Sequence, residues 1–271
     1  RNIRLWAYTS PDYHGSLQPN YHSQCNEKLP FLFLSAFAND HPHLWARDEM
    51  GADSLQRDGY VVLSFAFSEV RERISADLCR IVHDYSLDGL ELEWLASSPT
   101  PSSPYGYEGS AIDAFGRELG RSPQGSDDEA WTDFRCRAAT MFVRQVRHQL
   151  PGMLSAAVIG DRQRARAWLH DWLAWANEGL LDAVVLRHGS LDIDKSAEQV
   201  RAARAVLRGA TLLISQLDCW RNHTLRDHKS LVEAAQAVLQ AGADQVGVYR
   251  GDTVAAHSLW PALRDISRLH V

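Results

Sequence analysis

The stretch Tyr60–Trp94, with the sequence YVVLSFAFSEVRERISADLCRIVHDYSLDGLELEW, contains one strand–helix–strand unit and decides the fold class. An apolar run that begins at Val61 predicts a strand, and a run that begins at Gly89 predicts another. Between them, Ser68 is a good N-cap residue and is followed by apolar residues at helical spacing. These residues are Val70, Ile74, Leu78, Ile81 and Tyr85. The spacing of the two strands fits a βαβ unit, which needs about 30 residues.

The same alternation of strand and helix recurs along most of the chain. Strands are predicted to start near Ile3, Val61, Gly89, Leu154, Ala183, Leu212 and Gln245. From Val61 onward these starts are roughly 28, 65, 29, 29 and 33 residues apart, so the long interval fits one unit plus an insertion.

Two later helices are predicted from their apolar spacing and from the turn residues that end them. One begins near Asp127, is ended by Pro151–Gly152 and precedes the strand predicted at Leu154. Its apolar residues are Trp131, Phe134, Ala138, Met141, Phe142 and Val146. The other covers Leu231–Leu239 and is ended by Gly242, the residue type expected just after a helix.

A near-constant period of strand and helix predicts an α/β protein with a parallel sheet, and seven strands favour a (β/α)₈ TIM barrel. The alternative is an open doubly wound sheet, which calls for a glycine-rich phosphate turn after its first strand. Tyr8–Asp12 is no such turn. Because only seven strands are visible, we expect the first βα unit to lie before Arg1. The chain is then a single barrel domain over residues 1–271 that is incomplete at its N-terminus.

Composition and charge exclude several classes of protein. Of the 271 residues, 45% are apolar and 23% are charged, and no apolar run approaches the length of a transmembrane helix. The chain holds 28 Lys and Arg against 34 Asp and Glu, which gives a net charge of −6 without a basic tract. We therefore expect a soluble protein that binds neither nucleic acid nor an anionic membrane surface. A neutral or cationic ligand is easier to accommodate.

The sequence predicts no metal site and no cofactor. The four cysteines lie far apart without a C-x-x-C pair, which leaves disulfides open but excludes a zinc ribbon. The pairs His41-x-His43 and Asp192-x-Asp194 lack a third ligand at useful spacing. The chain opens at Arg1 without a Met or a leader-like segment, so we expect a trimmed or mature form whose compartment stays open.

Two glutamates in the strand GLELE are the leading candidates for chemistry. Because strand side chains alternate, Leu90, Leu92 and Trp94 share one face, and Glu91 and Glu93 share the other. In a barrel the apolar face meets the helices, so the glutamates point into the lumen with Glu93 nearer the mouth. A buried carboxylate is costly unless it is bonded or functional. Two alternatives stay open, a half-exposed edge strand and, for Glu91, a salt bridge to a lumen Arg.

Hydrolysis of a glycosidic bond needs a second carboxylate. Four aspartates follow predicted strands and are candidates: Asp12, Asp161, Asp218 and Asp252. Asp218 is favoured because it follows a buried strand and precedes Trp220, whose ring could stack on a sugar. The alternative for Asp218 is an ordinary turn or cap carboxylate.

Aromatic and charged residues at the predicted strand ends suit the faces and rims of sugars. The predicted substrate contacts are Trp6, Asp12, His14, Glu91, Trp94, Arg187, His188, Trp220 and Tyr249. For any one of the aromatic and histidine residues, simple packing is the alternative. Trp168, Trp172 and Trp175 are spaced i, i+4, i+7 and are predicted to form the core stripe of one helix.

The chain resembles the glycosyl-hydrolase-like, family-10-like barrel proteins. The resemblance rests on HPHL at residues 41–44, on YVVLSFAFSEVRER at 60–73 and on DGLELEWL at 88–95. It continues through YGYEGSAIDAF, DWLAWANEGLLDAVV, LLISQLDCW and QAGADQVGVY to Leu259–Pro261. The resemblance implies a (β/α)₈ fold and action on, or binding of, a glycan. The family's usual Asp is Glu93 here, and its later acidic residue, often Glu, is Asp218, so each side chain differs in reach by one methylene.

Three functional hypotheses follow from the sequence. The first is a glycoside hydrolase-like enzyme with Glu93 as general acid/base and Asp218 as nucleophile or base. The second is a non-catalytic glycan-binding barrel with a degenerate acid pair. The third is a lyase or isomerase, which would show a lumen Lys or a metal cluster, but Lys28, Lys195 and Lys229 do not lie at strand ends. The sequence makes no prediction of sugar, linkage or oligomeric state.

Overall fold

The computed structural model describes residues 3–16, 33–93, 105–188 and 192–269. Their contacts group into two units, each with its own strands and helices. The first unit is Arg1–Gly152 together with Arg166–Asp171, and the second is Met153–Ala165 together with Trp172–Val271. Within the described ranges, no helix is both long and apolar enough to cross a membrane. The expectation of a single barrel domain stays a prediction.

The first unit begins with four strands and short helices, and its longest elements are α3 and α5. In chain order its elements are β1 (Trp6–Thr9), β2 (Tyr13–Ser16), β3 (Phe33–Leu34), α1 (Ala36–Asp40), a 3₁₀ turn (Pro42–Leu44), α2 (Ser54–Asp58), β4 (Tyr60–Val62), α3 (Ser68–Asp84), β5 (Gly89–Glu93), α4 (Gly109–Leu119) and α5 (Glu129–Gln149).

Strands β1 and β5 pair in parallel, with Trp6 opposite Gly89 and Thr9 opposite Leu92. Asp88, just before β5, ties the two strands together at their start, because its carboxylate accepts from the Leu5 backbone N–H at 2.8 Å. The strand predicted at Ile3 starts three residues later, and Ile3 itself is 82% exposed.

The parallel pairing predicted for the strand at Val61 is wrong. The strand forms as β4, but it pairs antiparallel with β2 in a three-stranded sheet of order β3-β2-β4. The apolar run at residues 60–63 is buried, which fits either kind of strand, and the run alone does not identify its partner. The partner β2, Tyr13–Ser16, was not predicted, since it contains Gly15 and only one large apolar side chain.

Helices α3 and α5 form where they were predicted, and each is followed by a predicted strand. Some of the residues predicted to be buried on these helices are exposed. In α3, Val70, Ile74 and Leu78 are buried, but Ile81 and Tyr85 are 41% and 75% exposed. The stripe advances by four residues each time, so Val82 takes the place predicted for Ile81. In α5, Met141 is 42% exposed, because the buried stripe again lies on the residues that follow the predicted one. Phe142 and Val143 are fully buried.

The second unit is a regular alternation of parallel strands and helices. Its elements are β6 (Met153–Ile159), α6 (Arg162–Ala167, whose last two residues group with the first unit), α7 (Trp172–Asn177), β7 (Ala183–Arg187), α8 (Ile193–Val206), β8 (Leu212–Asp218), a 3₁₀ turn (His223–Arg226), α9 (His228–Gln240), β9 (Gln245–Tyr249), α10 (Gly251–Ala256) and α11 (Trp260–Ile266). The predicted starts at Ala183, Leu212 and Gln245 are confirmed, and Gly242 follows α9 with a positive φ of 109°.

In strand β8 of the second unit, one face is buried and the other is half-buried. Leu213, Ser215 and Leu217 are buried and alternate with half-buried residues. Helices α8 and α9 both contact β8. The register places Arg187 opposite Gln216, and Tyr249 opposite Asp218. We call the face that carries Arg187, Gln216, Asp218 and Tyr249 the open face.

The prediction that three tryptophans form the stripe of one helix is wrong. Trp168 follows the end of α6, and Leu169 then takes a left-handed conformation with φ 63° that ends the helical run. Trp172 and Trp175 lie in the separate helix α7 and are almost completely buried.

Candidate active site

Glu93 is the last residue of β5, and only 2% of its surface is exposed. The predicted alternation is confirmed, because Leu90 and Leu92 on the other face are completely buried. Glu91 shares the face of Glu93 and is half-buried. The strand register brings β1 residues onto that same face, with Trp6 opposite Gly89 and Tyr8 opposite Glu91. The face therefore carries two aromatic rings beside two carboxylates.

Asp12 lies in the turn between β1 and β2, and 3% of its surface is exposed. Its backbone oxygen accepts from the Leu63 N–H at 3.0 Å, which fixes the turn against the end of β4. Asp12 lines a cavity of about 60 Å³ whose walls are mainly apolar. Ser64, Tyr105, Arg135 and Trp168 line the same cavity. The predicted contact residue Asp12 is thus placed in a pocket of the first unit.

His14 lies on β2 and is hydrogen bonded within the first unit. Its Nδ1 is 3.1 Å from the Ser35 hydroxyl, and its Nε2 is 3.2 Å from the Pro11 carbonyl oxygen. Burial lowers the pKa of His14 below its ordinary value. Both ring nitrogens therefore have partners within the fold, and the contact of His14 with a substrate stays a prediction.

Asp218 is the last residue of β8 and lies on the open face. Its Oδ1 accepts from the backbone N–H groups of Trp220 at 3.0 Å and Arg221 at 2.9 Å. Its Oδ2 lies 3.8 Å from the Arg221 guanidinium, and 23% of the side chain is exposed. Oδ1 therefore stabilises the turn after β8, which is the alternative role that the sequence left open for Asp218. Oδ2 lies beside a cation.

Three arginines contact Trp220, two over its ring and one at its carbonyl oxygen. The guanidinium carbons of Arg221 and Arg250 lie over its ring, 5.3 and 5.5 Å from the centroid. Such cation–π contacts hold the guanidinium groups at fixed places near the ring. Arg226 donates to the carbonyl oxygens of Cys219 and Trp220 at 3.0 and 2.7 Å, which secures the turn after β8.

Arg187 is the last residue of β7 and His188 follows it, and the two side chains lie on different sides of the sheet. Arg187 lies on the open face, opposite Gln216. His188 reaches the side covered by helix α8, where its ring nitrogens lie 3.0 Å from Gln199 Oε1 and 2.8 Å from the Ser215 hydroxyl. Burial lowers the pKa of His188, which favours the neutral ring. Both ring nitrogens of His188 therefore have partners within the fold, and its contact with a substrate stays a prediction, as does that of Arg187.

A family sequence model described as "Glycosyl hydrolase-like 10" matches residues 27–207, two thirds of the chain. The chain belongs to the glycosyl hydrolase-like 10 family. The resemblance stated from the sequence motifs is thereby confirmed. A comparison with the curated protein sequences finds no match.

Solved structures similar to this glycosyl hydrolase-like 10 chain are glycoside hydrolases. The PgaB (BpsB) glycoside hydrolase domain of Bordetella bronchiseptica has a TM-score of 0.56 at 15% identity, over 97% of this chain and 75% of that one. The GH36 α-galactosidase AgaA of Geobacillus stearothermophilus, solved with stachyose, has a TM-score of 0.56 at 8% identity, and this chain covers 31% of its length. An α-galactosidase of Lactobacillus brevis has a TM-score of 0.54 at 10% identity, over 98% of this chain and 30% of that one. At these identities the likeness shows the fold alone, and it confirms the predicted α/β class of the TIM-barrel kind.

The structure of this family member places the predicted site residues in two groups. The first unit holds Trp6, Asp12, His14, Glu91 and Glu93, and the second holds Arg187, His188, Asp218, Trp220 and Tyr249. Trp94 lies outside the described residues. Among the residues that the structure describes, no group of three His, Cys, Asp or Glu side chains could hold a metal ion.

Two buried charges of the first unit were missed by the sequence reasoning. Arg135 is 3% exposed and donates to the Tyr105 carbonyl oxygen at 2.8 Å, and its guanidinium lies over the rings of Tyr107 and Trp131. Glu108 is 2% exposed, and burial raises its pKa. One signal was available, because Arg135 follows Trp131 by four residues and so lies on the apolar stripe of α5.

Proposed function

We propose that the chain hydrolyses a glycosidic bond, with Glu93 as the general acid/base and Asp218 as the nucleophile or base. The observation that carries this proposal is the burial of Glu93 at the carboxyl end of a parallel strand. In barrels of this kind, catalytic residues come from these strand ends, whereas a carboxylate without a role is seldom removed from water. Membership of a glycosyl hydrolase-like family supports the same reaction class.

The two carboxylates have surroundings that suit different roles. Removal of water disfavours a charged carboxylate, and the protonated form is the one a general acid needs, so we assign the acid to Glu93. Asp218 is more exposed, and its Oδ2 lies 3.8 Å from the Arg221 guanidinium, so we assign the nucleophile or base to Asp218. Its two backbone hydrogen bonds fix the orientation of the carboxylate.

The proposed reaction balances without a cofactor. Glu93 gives its proton to the glycosidic oxygen as the bond between that oxygen and the anomeric carbon breaks. If Asp218 attacks the anomeric carbon, a glycosyl ester forms, and water deprotonated by Glu93 then releases the sugar with its original configuration. If Asp218 instead takes a proton from an attacking water, the configuration is inverted.

The test is release of reducing ends from a glycan library by the wild-type chain and two isosteric variants. Glu93→Gln and Asp218→Asn should each lower turnover by about 10²–10⁴-fold, the range for loss of a catalytic acid or base. Exposed carboxylates supply matched controls, so Glu72→Gln and Asp84→Asn should leave turnover unchanged. Unchanged turnover in Glu93→Gln would overturn the proposal. NMR of the first product anomer then separates retention from inversion.

A second candidate function is glycan binding without hydrolysis. The observation that favours it is the use of Asp218 Oδ1 as an acceptor for two backbone N–H groups, an ordinary turn role. This candidate predicts that a library glycan raises the melting temperature of the chain while no reducing ends appear. Glycan-dependent release that is lost in Asp218→Asn would exclude it.

A further inference from the structure

Tyr8 is an aromatic residue of β1 that the fold leaves largely uncovered, with 49% of its surface exposed. Among the residues that the structure describes, its hydroxyl has no hydrogen-bond partner, and its ring has no aromatic or guanidinium neighbour. An exposed ring is not unusual by itself, so its position in the sheet has to show whether it has a role.

The strand register places Tyr8 on the face of the candidate catalytic acid. Tyr8 lies directly opposite Glu91 in the parallel pairing of β1 with β5. Because side chains alternate along a strand, Glu93 is the next residue of β5 on that same face. Neighbouring strands are about 4.8 Å apart and two residues span about 6.6 Å, so the Cα atoms of Tyr8 and Glu93 are about 8 Å apart. One sugar ring can therefore contact both side chains.

The chemistry of the Tyr8 side chain suits a sugar better than it suits most other ligands. A pyranose ring has a flat face of C–H groups, which packs against an aromatic ring, and a rim of hydroxyl groups. The Tyr8 ring can cover the C–H face, and the Tyr8 hydroxyl can donate to or accept from the rim. The half-buried Trp6, two residues earlier on the same face, lies opposite Gly89 and extends the aromatic surface.

We propose that Tyr8 is a substrate-binding residue whose ring packs against the C–H face of the pyranose next to the bond that Glu93 protonates. This inference rests on the proposed function, since it assigns a contact of the same glycan. The contacts predicted from the sequence include Trp6, the neighbour of Tyr8 on this face, but not Tyr8 itself. Loss of the ring should weaken binding of the glycan and leave the acid in place.

The experiment measures binding in the Glu93→Gln chain, which lacks the proposed catalytic acid. The probes are cellohexaose, laminarihexaose, chitohexaose, xylohexaose, mannohexaose and maltohexaose. Titration calorimetry should show that at least one probe binds, and Tyr8→Ala in the same background should weaken that probe about tenfold or more, because a large apolar contact is lost. In NMR spectra, C–H protons of the bound sugar should shift upfield over the ring, and this shift should disappear in Tyr8→Ala.

Further variants test whether the ring itself makes the contact. Tyr8→Phe keeps the ring and should bind within about threefold of the parent chain, whereas Tyr8→Leu keeps apolar bulk without a flat face and should weaken binding about fivefold or more. The matched control is Tyr85→Ala, because Tyr85 is a 75% exposed tyrosine of the same unit that follows helix α3. This variant should bind every probe as its parent does. Thermal melting of each variant identifies any that fail to fold.

Three outcomes would overturn the contact. They are unchanged affinity in Tyr8→Ala and Tyr8→Leu, a loss in Tyr8→Phe as large as that in Tyr8→Ala, and no binding of any of the six probes. If another protein segment rather than a sugar covers the ring, the first of these outcomes is expected.

Turnover separates this inference from the proposed function. If the wild-type chain releases reducing ends in a Glu93-dependent way and Tyr8→Ala changes neither kcat nor KM, hydrolysis stands and the Tyr8 contact fails. If a probe binds through Tyr8 but the wild-type chain releases no reducing ends, the contact stands and hydrolysis fails.

Discussion

Gly152 ends the turn between α5 and β6 at a point where the backbone of another segment passes very close. A Cβ atom at this position would lie 2.6 Å from the Asp88 carbonyl oxygen and 3.0 Å from its carbonyl carbon. Both atoms are backbone, so they cannot rotate away as the end of a side chain could. The sequence pointed to a turn at Pro151–Gly152, but the need for glycine comes from this close approach.

We expect Gly152→Ala to lower the free energy of unfolding by about 2 kcal/mol or more, because Asp88 and the start of β5 must shift to admit the methyl group. Urea unfolding followed by circular dichroism measures the change. Gly109→Ala is the control, since a Cβ there meets nothing within 4 Å, and its stability should stay within about 0.5 kcal/mol of wild type. Equal stability of the two variants would show that the backbone at Gly152 can move freely.

At the same scale, Glu93 shows what sequence alone could predict of the site. The alternation of GLELE was enough to predict a glutamate on the face opposite two buried leucines. The surroundings of the candidate residues in the second unit were predicted less well. The side of β7 on which His188 lies depends on its bonds to Gln199 and Ser215, and the two arginines over the Trp220 ring come from two separate turns, after β8 and after β9. Such contacts depend on strand register, which no local pattern contains.

At the scale of elements, one pair of hydrogen bonds recurs where a strand begins. An aspartate just before the strand accepts from a backbone N–H at the start of the neighbouring strand, and its own N–H donates back to the same residue. Asp88 does so with Leu5, Asp182 with Leu154 and Asp244 with Leu213. Each aspartate precedes its strand by one residue, so the motifs LDG, LDA and ADQ fix the register of neighbouring strands.

Removal of one such aspartate should loosen a strand pair. We expect Asp182→Ala to lower the free energy of unfolding by about 1–3 kcal/mol, because the Leu154 N–H loses an acceptor held at 2.8 Å. Glu198→Ala, an exposed position on α8 of the same unit, should stay within about 0.5 kcal/mol of wild type. Hydrogen exchange at the Leu154 amide provides the local readout. Unchanged protection there would show that the Asp182 carboxylate does not hold the strand pair together.

At the scale of the whole molecule, the period of the apolar runs was enough to predict the fold class. The starts of β5, β7, β8 and β9 coincide with their predictions, because each begins a short apolar run after a turn. The errors arise where local pattern and tertiary partner disagree. β4 has the composition of a parallel strand but pairs with β2, and Leu169 interrupts what the spacing of Trp168 and Trp172 presents as one helix.

The stability of the whole molecule should depend on pH through histidines that fold into the interior uncharged. Burial lowers the pKa of His14 and His188, and it lowers the pKa of His170 to about 3. Above about pH 6.5 these rings are neutral in both the folded and the unfolded chain, so they contribute no pH dependence. As the pH falls through 6.5 the unfolded chain binds protons that the folded chain cannot, and stability is lost.

For His170 alone, the loss between pH 7 and pH 5 should be about 2 kcal/mol. Urea unfolding of wild type and His170→Gln at the two pH values measures it, because the amide does not titrate and the variant should lose about 2 kcal/mol less than wild type. His83→Gln replaces a histidine whose side chain is 82% exposed and should leave the difference unchanged. If His170→Gln and wild type lost the same stability on acidification, the proton would reach His170 in the folded chain, and the interior around it would have to open to water without unfolding.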